Sequence, residues 1–156
     1  MAGFIGYTSL VYVFPQLISK YSNTLSFHII YFLAGFNFLM FLWSWIYTIS
    51  TDPGRIKDDL KQRGLIDQID RGDIPFCLHK LPLCTKCRIP VPPNSHHCYI
   101  CNTCHLRFDH HCGVVGQCIA DKNIKSFILS FFYSSIFGAF STFAFFYYYI
   151  NFRSSR

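Results

Sequence analysis

Glutamate is absent from the 156 residues, and charge of either sign is scarce. Asp, Lys and Arg make up 14% of the chain, against roughly 25% charged residues in ordinary soluble domains. What charge there is sits together. All eight aspartates fall between Asp52 and Asp121, and eleven of the fourteen basic residues between Arg55 and Lys125. From Tyr21 to Thr51, and again from Ser126 to Phe152, no residue is charged. Each run is longer than the ~20 apolar residues a helix needs to cross the ~30 Å hydrocarbon layer. These absences exclude an ordinary soluble domain. A nucleic-acid surface is excluded too, despite the formal net charge of +6, because aspartates are mixed among the basic residues and no dense basic stripe forms. A solvated loop beside anionic lipid accounts for the balance. Position 2 holds Ala2 rather than the glycine that N-myristoylation needs, so that anchor is not expected.

The pattern predicts an α-helical integral membrane protein with three transmembrane helices, over 3–19, 25–50 and 124–152. The first is short and contains Pro15. It reads as a span rather than a cleaved signal peptide, because it lacks a basic leading region and a small-residue cleavage site. Lys20–Thr24 then makes a tight hairpin. The 52–125 loop carries eleven Lys and Arg, the hairpin one and the tail two, so the positive-inside rule predicts a cytosolic loop. Cytosolic thiols stay reduced, and the loop cysteines are therefore read as metal ligands or nucleophiles.

Residues 51–83 read as a linker. Thr51-Asp52-Pro53-Gly54 closes the second span with turn chemistry. Ile56–Arg71, with Ile56, Leu60, Leu65 and Ile69 among alternating charges, predicts a short surface helix. Pro75, Pro82, Pro90, Pro92 and Pro93 exclude a long helix over 75–94. Residues 84–123 form a cysteine-rich module. Seven of the eight cysteines and five of the seven histidines lie between Cys84 and Cys118. Cys84-x-x-Cys87 and Cys98-x-x-Cys101 have zinc-knuckle spacing, with Cys104, His96, His97, His105, His110, His111 and Cys118 within ligand reach. In a loop expected to be too small for a hydrophobic core, so many ligands point to folding around metal. Spacing leaves open which ligands share an ion, and why Cys112 sits beside two histidines and an aspartate.

The run Cys84-x2-Cys87-x9-His97-Cys98-x2-Cys101-x2-Cys104-x4-Asp109-His110-His111-Cys112-x5-Cys118-x4-Asn123-x3-Phe127 closely resembles the DHHC zinc-finger protein S-acyltransferases (palmitoyltransferases). Asp52-Pro53-Gly54 is similar to that family's Asp-Pro-Gly motif. The resemblance implies two closed structural zinc sites, one of Cys84, Cys87, His97 and Cys104, the other of Cys98, Cys101, His111 and Cys118. It leaves Cys112 as nucleophile, His110 as general base and Asp109 as the carboxylate that orients it. The implied donor is a fatty acyl-CoA such as palmitoyl-CoA, and the implied acceptors are cytosolic cysteines of membrane-proximal proteins. Arg107 is the basic residue left to meet CoA phosphates, and Phe137 falls near the end of the family's acyl cavity, to which Phe131, Tyr133, Ser134 and Phe140 would also contribute. The implied setting is a multi-pass protein of an endomembrane (ER or Golgi) or the plasma membrane. Cys77 lies outside the pattern, as a loop thiol.

Several positions depart from the family. Gly113-Val114 stand for Pro-Trp, Gly116-Gln117 for a pair of Asn, and Val91 and Asn94 for basic residues. The family's fourth span, Thr-Thr-x-Glu motif and C-terminal packing segment are not among these residues, so an accessory subunit or oligomer is an open expectation. The alternative function is a catalytically weak or inactive member acting as a zinc-stabilised membrane scaffold. A RING-type ubiquitin ligase fits poorly, since Cys98 lies only eleven residues beyond Cys87.

Overall fold

The computed structural model describes residues 9–21 and 24–154. It divides into two units, one of residues 1–44 with 129–156 and the other of residues 45–128.

The first unit is helical. A π turn, Ser9–Val13, leads into α1 (Phe14–Tyr21), and Pro15, with no N–H to donate, lies where the wide turn hands over to the α-helix. The expected first span covers residues 3–19; residues 3–8 of it lie outside the described residues, and α1 carries on through Lys20 and Tyr21 into the expected hairpin. Most of helix α2 (Leu25–Ser50) and of helix α5 (Ile124–Ser154) belongs to it as well. Both are apolar all round, the pattern of a helix enclosed in a protein core or in a membrane. Within them His28–Ser50 and Ile124–Asn151 are long and apolar enough to cross a membrane. Phe32, Leu39 and Trp43 on α2, and Phe131, Phe132 and Phe143 on α5, are exposed.

The second unit takes in the last turns of α2 and the turn that follows it. Gly54 has φ +101°, its N–H donates to Asp52 Oδ1 at 2.8 Å, and Asp52 pairs with Arg55. The same turn anchors two segments distant in the chain: Leu106 N–H donates to Gly54 O and Lys122 N–H to Pro53 O. A Cβ on Gly54 would stand 3.4 Å from the Lys122 side chain. Instead of one surface helix over 56–71 there are two short ones, α3 (Ile56–Gln62) and α4 (Ile66–Asp70). Gly64, at φ +69°, ends α3 in a Schellman turn, with Leu65 N–H on Leu60 O and Gly64 N–H on Lys61 O. Gly72 ends α4 in the same way.

Nor are these helices merely on the surface. Ile56, Leu60, Ile66 and Ile69 are buried with Ile89 and Cys104, and Leu65, Cys84, Cys87 and Leu106 pack against them. A small hydrophobic core therefore exists where none was expected. It forms because the apolar residues of α3 and α4 meet the wall of a cysteine cluster, so neither has to close a core alone. The proline-rich stretch contains a 3-10 turn, Phe76–Leu78, and an isolated antiparallel bridge between Leu83 and Pro90. Beyond it come two short hairpins, β1 (His96–Cys98) with β2 (Thr103–His105), and β3 (His110–Cys112) with β4 (Gln117–Ile119).

Candidate metal clusters and reactive cysteine

Each Cys-x-x-Cys segment is a tight turn that presents its sulfurs to one point. In the first, Cys87 N–H donates to Cys84 Sγ; in the second, Cys101 N–H donates to Cys98 Sγ, both at 3.4 Å. The residue after each knuckle, Arg88 (φ 55°) or Asn102 (φ 51°), is left-handed, which turns the chain back. The hairpins add the other ligands. The pairing of His97 with Cys104 completes the first set, and that of His111 with Cys118 completes the second.

The result is two groups, Cys84, Cys87, His97 and Cys104, and Cys98, Cys101, His111 and Cys118, each with ligand atoms within 4.8 Å of one another. His97 Nδ1 lies 3.7, 3.2 and 3.7 Å from the sulfurs of Cys84, Cys87 and Cys104. His111 Nδ1 lies 3.7, 3.3 and 3.6 Å from those of Cys98, Cys101 and Cys118. In a zinc tetrahedron with Zn–S of ~2.3 Å and Zn–N of ~2.0 Å, each sulfur–nitrogen edge is ~3.5 Å. The donor sets fit zinc. Burial, together with the sulfurs around them, pushes the Cys104 and Cys118 thiols up, so three thiolates need a cation to stand together.

Among the other ligand candidates, His96 and His105 join neither group. They are cross-strand partners on the first hairpin, and His105 is buried and stacked on Phe108. Burial lowers the His105 pKa and so favours the neutral ring.

Asp109, His110 and Cys112 lie beside the second cluster without belonging to it. Asp109 Oδ2 is 2.9 Å from His110 Nδ1. The His110 ring also meets Phe127 edge-on, with centroids 5.5 Å apart. The hydrogen bond to Asp109, then that to Cys112, raises the His110 pKa. Burial works to raise the Cys112 pKa, yet it is lowered overall, through the Val115 and Val114 N–H groups and His110. Cys112 is half-buried, and no disulfide occurs among the described cysteines. The side chain of Cys77 lies outside the described residues.

Arg107 is exposed, with one guanidinium nitrogen 3.2 Å from Asp121. In the first unit, Ile30, Leu33, Ala34, Asn37, Ile136, Phe137, Phe140 and Phe143 line a groove of about 380 Å³. Phe137 packs there on Phe38. Phe131, Tyr133 and Ser134 are not among its lining residues. Gln117, legible in the sequence only as a departure from Asn, donates to Thr48 O at 2.7 Å and Thr51 O at 3.3 Å.

A family model described as DHHC palmitoyltransferase matches residues 78–156. The chain is 37% identical over 109 residues to probable protein S-acyltransferase 12 of Arabidopsis thaliana, a match covering 68% of this chain and 38% of that protein. It is 32% identical over 146 residues to human palmitoyltransferase ZDHHC13, covering 85% and 23%. With palmitoyltransferase ERF2 of Eremothecium gossypii the identity is 35% over 104 residues, covering 60% and 28%. The chain thus spans less than two-fifths of the length of these relatives. Since the matched model takes in half of the chain, including both hairpins and the Asp109–Cys112 segment, the chain belongs to the DHHC palmitoyltransferase family.

Proposed function

We propose that the chain is a membrane-bound protein S-acyltransferase that carries a fatty acyl group from acyl-CoA, through Cys112, to cysteines of other proteins. The observation that carries this is the series Asp109–His110–Cys112: Asp109 Oδ2 sits 2.9 Å from His110 Nδ1, His110 and Cys112 shift each other's pKa toward the charged pair, and neither metal group uses any of the three. With Nδ1 of His110 on Asp109, Nε2 is the nitrogen left to take the Cys112 proton. The Cys112 thiolate attacks the carbonyl carbon of the acyl-CoA thioester; the new C–S bond forms as the bond to the CoA sulfur breaks. The CoA thiolate leaves with the proton held by His110. A protein thiol, deprotonated by the same histidine, then attacks the acyl-Cys112 thioester and restores the Cys112 thiol. One thioester replaces another, so positioning and base catalysis carry the rate.

In the two Cys3His sets, zinc would fold and hold the module; three thiolates and an imidazole fill its coordination, which suits a structural role. The Arg107–Asp121 pair is exposed, worth ~0–1 kcal/mol, and a CoA phosphate can displace the carboxylate. The groove at Phe137 and Phe140 has the chemistry for an acyl chain, each methylene of which gains roughly 0.8 kcal/mol on leaving water. We place the 52–125 loop in the cytosol, on the basic residues it carries, with a first span ahead of α2. The acceptors are then cytosolic cysteines close to an endomembrane or plasma membrane.

Purified protein should become labelled by a fatty acyl-CoA analogue, with about two zinc ions per chain. The Cys112→Ser form should keep its zinc and lose the label. Full labelling of the Ser form would overturn the role of Cys112.

A further inference from the structure

The last four carbonyls of any α-helix lack partners within it. The helix α2 stops at Ser50, and Pro53, without an N–H, cannot bond Ile49 O to carry it further. The carbonyls of Thr48, in the last turn of α2, and of Thr51, just beyond it, accept from the side-chain amide of Gln117, at 2.7 and 3.3 Å. This donor arrives from 66 to 69 residues along the chain. Gln117 is also the residue paired directly across the β3–β4 hairpin from Cys112. The hairpin between them is tight: Gly116, at φ +75°, donates its N–H to Cys112 O at 2.8 Å. A shift of Gln117 therefore carries to Cys112.

We infer that Gln117 is a positioning residue for Cys112, holding the reactive strand against the end of α2 through the Thr48 and Thr51 carbonyls. The inference rests on the acyl-transfer reading above and adds a residue to it. The second cysteine cluster does not depend on this anchor. Cys118 O is held separately by Asn123 Nδ2 at 3.0 Å, and Asn123 Oδ1 accepts from Ala120 N–H at 2.8 Å. Removing the Gln117 amide should thus release the strand from the helix end without dismantling the metal module. The thiol keeps His110 beside it, so its intrinsic reactivity survives, whereas its place relative to a membrane-held acyl donor does not. Misplacement by about 1 Å can cost ~100-fold in rate.

The test uses the full chain in lipid nanodiscs, as wild type, Gln117→Met (similar length, no donor) and Gln117→Glu (similar length, a carboxylate facing carbonyls). Three quantities are read: zinc per chain, the rate of Cys112 alkylation by iodoacetamide tracked by peptide mass spectrometry, and single-turnover acylation by palmitoyl-CoA. The expected result is zinc and alkylation within twofold of wild type in at least one variant, with its maximal acylation rate down ~10-fold or more and half-saturation by palmitoyl-CoA little changed. Unchanged acylation in a zinc-replete variant would overturn the inference. So would an equal fall in alkylation and acylation, or loss of zinc from both variants, since each marks a role other than placement. If wild type forms no acyl-Cys112 at all, the acyl-transfer reading itself fails and takes this inference with it.

Discussion

Two residues of the same type stand side by side at His110 and His111, and their surroundings divide them. His111 turns Nδ1 to three sulfurs, while His110 turns Nδ1 to a carboxylate and meets Cys112. Replacing His110 by Ala should slow single-turnover acylation by ~10²–10⁴-fold, the usual contribution of a general base. Zinc content should stay at wild-type level. His111→Ala should instead release zinc, measured by metal analysis of the purified chain. Arg88 offers a separate test of backbone strain. At φ 55° it occupies a conformation that a β-branched residue resists, so Arg88→Val should cost about 1–3 kcal/mol. Arg88→Gly should be neutral or stabilising by up to about 1 kcal/mol, both read from denaturant midpoints with zinc saturating.

At the scale of elements, α3 and α4 explain how so little hydrophobic residue supports a folded unit. Leu60 packs in the cluster that includes Cys104 and touches Cys84 and Cys87, so core and metal group share a wall. Leu60→Ala should cost about 2–4 kcal/mol, by lost burial and the cavity left behind. It should loosen the first metal group more than the second, seen as faster loss of one of two zinc ions to a chelator. The junction of α2 and α5 is polar within the second unit. Thr48 Oγ1 donates to Ser126 Oγ, which donates to Asn123 O, both at 2.9 Å and buried. Where a helix leaves hydrocarbon, such bonds tie neighbouring helix ends together without needing water.

For the whole molecule, metal and membrane are expected to be separable supports. A strong chelator should make the 52–123 region sensitive to protease while α2 and α5 remain protected in nanodiscs, as mapped by mass spectrometry of the fragments. The reason is that the long helices satisfy their own backbone groups in lipid, whereas short hairpins with few buried apolar residues do not hold without a cross-link. Cleavage spread evenly over loop and spans would refute that division.

Much of this was open to reading in the linear chain. The uncharged runs required helices at α2 and α5, because an unpaired backbone in hydrocarbon is too costly for any open alternative. The cysteine and histidine spacing marked a metal module, since a tight turn between two cysteines can aim both sulfurs at one ion. Proline placement excluded a long helix before the first hairpin. The pairing of distant groups was not open to reading in this way. That α3 and α4 pack on a cysteine cluster depended on contacts between residues far apart in the chain, whereas the break between them at Gly64 is a local turn. Gln117 is the clearest case. Its sequence position says only that an amide precedes Cys118; the folded hairpin sets it opposite Cys112 and against the carbonyls that end α2. Local chemistry determined which residues could react or bind, and long-range packing decided where each was held.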